Sequence, residues 1–96
     1  MTINKTIENG NATFALEGKL DANTSTQLLN ELDPVCQEGS CDITLDFAKL
    51  SFISSAGLRV LFTAHKKCKA NGKTVTVINE NESIKEIFAI TGYSSI

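Results

Sequence analysis

Apolar residues fall two apart at the start of the chain and three to four apart further on, and this change of spacing sets out the elements. Around Asn9-Gly10, counting every second residue puts Ile3, Ile7, Ala12, Phe14 and Leu16 on one face. Asn-Gly favours a type I′ turn because both central positions need positive φ. A two-residue loop there pairs Glu8 with Asn11, Ile7 with Ala12, Lys5 with Phe14 and Ile3 with Leu16. Lys5 alone interrupts the apolar face, and its ammonium can extend past a sheet edge. The spacing therefore predicts an antiparallel hairpin, broken at Gly18 to Asp21.

From there the period lengthens. Leu28, Leu29, Leu32, Val35 and Cys36 recur at helical spacing, with Thr24 and Gln27 reading as a capping box. Pro34 removes a hydrogen bond and is expected to kink or loosen the last turn. Cys41, Ile43, Leu45 and Phe47 alternate again, which predicts a strand. Leu58, Leu61, Ala64, His65 and Cys68 form the stripe of a second helix that stops near Asn71-Gly72. A short strand with Val75 and Val77 inward and a last helix through Ile84, Ile87 and Phe88 follow, the helix stopping at Gly92. The order is β-β-α-β-α-β-α. Strand-helix-strand repeats imply parallel strands with right-handed crossovers. The fold class is thus α/β, a mixed four-stranded sheet with three main helices, and residues 1–96 are expected to form one domain.

Composition narrows the function. The apolar share is 42% and the net charge −2, with acidic and basic residues interleaved, so the chain lacks the basic footprint that nucleic acid demands. No apolar run approaches the ~20 residues of a membrane span, and the first residues do not read as a signal peptide. Three cysteines, an odd number, argue against a disulfide framework, so a reduced, cytoplasmic chain is expected. The Asn-x-Ser/Thr triplets at Asn4, Asn11, Asn23 and Asn81 then carry no glycan.

Enzyme chemistry finds little footing. A serine nucleophile needs an adjacent base. The single histidine, His65, lies ten residues beyond Ser55 in the same predicted helix, ~15 Å along its axis. His65, Cys36, Cys41 and Cys68 have zinc-ligand chemistry but sit on apolar stripes, where cysteine behaves as a small buried hydrophobe. No glycine-rich phosphate loop is present. No enzyme activity, cofactor or metal is expected. What stands out is "ISSAG", two serines at a strand-to-helix handover. They could be an ordinary N-cap, or a hydroxyl held out among Phe52, Ile53, Ala56, Gly57 and Leu58 as a docking patch. A helix N-terminus tolerates phosphate well, so a modification there could switch binding without melting the fold.

The run Leu50-Ser51-Phe52-Ile53-Ser54-Ser55-Ala56-Gly57-Leu58-Arg59-Val60-Leu61 resembles the signature of the STAS domain, the family of bacterial anti-anti-sigma factors. Leu16-Glu17-Gly18-Lys19-Leu20-Asp21 is similar to the family's second-strand motif, and Lys85 to Gly92 to its closing helix. The resemblance implies an anti-sigma factor antagonist, and a monomer is expected. Its unphosphorylated form binds an anti-sigma factor that is a serine kinase of the GHKL ATPase type, and so frees a sigma factor. Phosphorylation ends that binding, and a metal-dependent serine phosphatase restores it. Aligning Gly57-Leu58 with the family's Gly-Leu puts the acceptor on Ser55, with Asp21, Ser54, Ser55, Ala56, Gly57, Leu58 and Arg59 at the partner surface. Two positions depart from the pattern: Ser54 stands where the family has aspartate, and Ala56 where it has a second hydroxyl. Other family members imply an alternative, a constitutive adaptor in a stress-sensing assembly or lipid-transport complex, with Ser55 only a helix cap. Leu58 fits either the core or the partner surface.

Overall fold

The computed structural model describes residues 1–93. Its elements are β1 (Thr2–Glu8), β2 (Asn11–Leu20), α1 (Ala22–Glu38), β3 (Asp42–Ile53), α2 (Ser55–Ala70), β4 (Val75–Ile78) and α3 (Glu82–Thr91). Strands lie in the order β1-β2-β3-β4, with β1 antiparallel to β2 and the other pairs parallel. Asn9 and Gly10 both take positive φ, 50° and 77°, and the hairpin register is the one the Asn-Gly turn predicts.

Both parallel crossovers advance in the same direction across the sheet, so right-handed connections place α1 and α2 on one face. The Phe88 ring of α3 meets Phe47 of β3 at 6.4 Å, which brings α3 to that face too. Beneath the helices lie Ala12, Phe14, Leu16, Ile43, Leu45 and Phe47, all essentially inaccessible. The opposite face carries Thr13, Thr44, Asp46 and Thr76 and stays open. β1 is a bare edge: Ile7 points to the helical side but is 53% exposed, because no helix reaches over it.

Several expectations are corrected. α1 begins at Ala22, earlier than a Thr24/Gln27 capping box implies, because Asp21 is the better cap: Asp21 Oδ1 accepts from the amides of Asn23 (2.9 Å) and Thr24 (3.0 Å), and Thr24 Oγ1 accepts from the Asp21 amide (2.9 Å). α1 also continues past Pro34 to Glu38, where Gly39 closes it in the left-handed region at φ 70°. The third strand runs on from Phe47 to Ile53; two register shifts against β2 reset its alternation, so Ala48-Lys49 and Ser51-Phe52 are exposed pairs while Leu50 and Ile53 stay inside. His65 is half-buried rather than core and lines a cleft with Glu80, Phe88 and Tyr93; Val60 is the buried neighbour the periodicity omitted.

α1 and α2 pack through Cys36 and Cys68, whose sulfurs lie 3.3 Å apart. Burial, reinforced by the Cys68 thiol, pushes the Cys36 thiol up to about 12, which keeps it protonated and unreactive at neutral pH. No third histidine, cysteine or carboxylate joins them in a metal-binding group among the described residues. Lys67 pairs with Asp33 across the same helix interface.

Candidate functional site

Three helices leave the carboxyl edge of the parallel strands, and each starts from a side-chain cap. Asp21 caps α1, Ser54 caps α2 and Asn81 caps α3. Such caps satisfy amides that a first turn leaves without partners. The edge therefore gathers three helix N-termini, each with partial positive charge. Neither α1 nor α2 has an acidic residue in its first turn.

The two serines divide two roles between them. Ser54 Oγ accepts from the Gly57 amide at 3.2 Å, and the Ser54 carbonyl accepts from Leu58 at 3.0 Å. Ser55 is the first residue of α2; it is exposed, and its hydroxyl has no hydrogen-bond partner among the described residues. Ser55 as the helix cap, the alternative drawn from the sequence, is therefore overturned, since the extended backbone of Ser54 (φ −95°, ψ 174°) gives it the cap. Ser54→Ala is expected to cost ~1 kcal/mol of stability and Ser55→Ala close to none, a contrast that chemical denaturation measures directly.

The position of this loop is set from the β2 side. The Ser54 amide donates to the Leu20 carbonyl at 2.9 Å, Ser51 Oγ to the Gly18 carbonyl at 3.0 Å, and Thr24 Oγ1 to the Lys19 carbonyl at 2.8 Å. These bonds hold the α1 and α2 starts side by side, so Asp21 and Ser54-Ser55 share one surface. Hydrogen bonding from the Thr24 amide holds the Asp21 carboxyl below its ordinary 3.8, and Asp21 is a fixed anion at neutral pH.

Gly57 explains itself by what surrounds it. A Cβ there would lie 2.8 Å from Leu20 Cγ, 2.9 Å from Ile53 Cγ1 and 3.0 Å from the Leu20 carbonyl oxygen. Only a residue without a side chain lets the first turn of α2 come this close to the end of β2. Gly57→Ala should push α2 away from β2 and cost ~1–3 kcal/mol, read as a lower denaturation midpoint.

Of the residues the motif groups at the partner surface, Asp21, Ser54, Ser55, Ala56 and Arg59 are wholly or partly accessible. Gly57 and Leu58 are buried, Leu58 at 7% exposure within the core cluster, and they shape this surface from beneath. Phe52, 45% exposed, borders it at the end of β3. Phe62, 37% exposed and two turns beyond Ser55 on α2, packs edge-on against the buried Tyr93 ring at 5.2 Å.

The site is thus an exposed, unpartnered hydroxyl at a helix start on a two-layer α/β domain, with Asp21, Ala56 and Arg59 accessible around it. The chain belongs to the STAS domain family, whose model it matches over residues 2–96. It is 32% identical over 79 residues to an anti-sigma-B factor antagonist of Staphylococcus epidermidis, covering 82% of this chain and 73% of that one. Its fold superposes on an anti-sigma factor antagonist from Mycobacterium paratuberculosis with TM-score 0.87 at 18% identity, over 98% of this chain and 80% of that one. The Bacillus cell fate determinant SpoIIAA in its phosphorylated form gives TM-score 0.78 at 18% identity, over 98% and 86%. Among the described residues no helix is long and apolar enough to cross a membrane.

Proposed function

We propose that this chain is an anti-sigma factor antagonist whose binding is switched by phosphorylation of Ser55. The observation that carries the reading is the division of labour at the start of α2: Ser54 caps the helix, so the Ser55 hydroxyl is exposed and unpartnered. A kinase can reach it without breaking a hydrogen bond of the fold. Similarity to an anti-sigma-B factor antagonist supports an anti-sigma factor as the partner.

The unphosphorylated surface of Asp21, Ala56 and Arg59, with Phe52 beside them, docks on an anti-sigma factor that is a serine kinase of the GHKL ATPase type. The kinase then transfers phosphate to Ser55 Oγ. A phosphoserine carries about −1.5 to −2 charge, which the α2 N-terminus accommodates, and the fold survives. The same charge is costly once a partner surface closes over it, and the complex dissociates. A metal-dependent serine phosphatase resets the chain. Catalytic groups come from the kinase and the phosphatase; this chain is the binding module and substrate, acting in the cytoplasm as a monomer.

Affinity capture tests the reading. The unphosphorylated chain, immobilised, is offered each purified GHKL-type anti-sigma factor of the source genome. Retention of one of them, and its release when the chain carries phosphoserine at position 55, is the expected result. Equal retention of that protein by both forms would refute the switch.

A further inference from the structure

The first turn of α2 lacks the acidic residue that commonly sits at a helix start, and the helix as a whole contains no aspartate or glutamate. Its first cation is Arg59, four residues after Ser55. Both are exposed. Residues four apart in a helix are surface neighbours, their Cβ atoms ~5–6 Å apart. Helical side chains lean toward the N-terminus, so an arginine at position 59 has the direction and the length to reach the turn that Ser55 heads. Arg59 forms no ion pair among the described residues. Its neighbours one turn away on α2 are Ser55, Ala56, Phe62 and Thr63, none of them acidic. On the adjoining β2–α1 edge, the charged groups are Lys19 and Asp21, and the Asp21 carboxylate is held by the amides of α1.

We infer that Arg59 is the internal receptor for the phosphate on Ser55, folding back one turn to pair with it. The guanidinium presents a planar fork of donors matched to phosphate oxygens. The amides of Ser55 and Ala56, which have no intrahelical acceptor, face the same anion. Phosphorylation then changes the docking surface twice: it adds a dianion, and it withdraws from the partner the cation that Arg59 offers in the unmodified state. Arg59 is thus a positioning residue that couples the modification to release.

This inference rests on Ser55 as the acceptor, yet its test needs no kinase. Phosphoserine is inserted at position 55 by an expanded genetic code, and the second phosphate ionisation is followed by 31P NMR. The ordinary value is ~6. A guanidinium that pairs with the dianion lowers it, and Arg59→Gln, which keeps the helix propensity and much of the length of the side chain, should raise it by roughly 0.15–0.7 unit, the range of an exposed ion pair. The difference should shrink in 1 M salt, where the screening length is about 3 Å. Lys66→Gln, further along the exposed side of α2, should leave the titration unchanged. Identical titrations with and without the Arg59→Gln substitution would overturn the pairing, as would a shift in the Lys66→Gln chain as large as that of Arg59→Gln. Absence of any kinase that modifies Ser55 would instead remove the proposed function and leave the NMR result standing.

Discussion

Ser55→Asp is expected to weaken capture of the cognate anti-sigma factor by about 100-fold or more, with the fold intact. The expectation follows from where the carboxylate would sit. At the first position of α2 an anion meets the positive helix end and adds ~0.3–1 kcal/mol to helix stability. The hydroxyl it replaces makes no hydrogen bond that the fold would lose. In the proposed complex the same charge would be enclosed by a partner, and like-charged or unpaired groups at an interface cost several kcal/mol. About 3 kcal/mol corresponds to roughly 100-fold in Kd. Ser55→Ala is the counterpart: it keeps fold and capture and accepts no phosphate. Titration calorimetry with the three chains, beside thermal melts of each alone, separates an effect on binding from one on folding.

Leu58→Ala is expected to cost ~2–5 kcal/mol of stability, the range for a truncated core leucine. Motif position alone leaves Leu58 free to face a partner, but the structure puts it at 7% exposure in the core cluster that also holds Leu20, Ile53 and Leu61. Truncation leaves a void directly under the start of α2, next to the place where Gly57 touches Leu20. For a domain of about 100 residues each kcal/mol moves Tm by ~4–8 °C, so a fall of at least ~8 °C should be seen by calorimetry. A loss of partner affinity with Tm unchanged would place Leu58 at the surface instead.

The hairpin was readable from Asn9-Gly10 because turn chemistry and two-residue alternation agree there, and register follows from the loop length. The helices were readable from their apolar stripes, but their starts were less so. Thr24 and Asp21 both have capping chemistry, and which one caps depends on where β2 ends, a tertiary fact that sequence spacing does not contain. The same holds at Ser54 and Ser55. Either serine could cap α2, and the bond from the Ser54 amide to Leu20 decides between them by fixing Ser54 in extended backbone beside β2. The continuation of β3 past Phe47 was hidden because two register shifts break the alternation that announces a strand. His65 matched the buried stripe by spacing, yet it lies toward β4 and α3, whose cleft leaves it half open. Gly57 belonged to a recognisable motif, but its reason, the approach of Leu20 and Ile53, exists only in three dimensions.

The proposed switch depends on Ser55 being the hydroxyl that a kinase reaches. The direct measurement is incubation of the purified chain with ATP and each GHKL-type kinase of the source genome, read by phosphate-affinity electrophoresis and mass mapping. A single phosphate on Ser55 from one kinase, absent in the Ser55→Ala chain, is the predicted result. Phosphate on Ser54 in place of Ser55, or no modification of the folded chain by any of these kinases, would contradict it.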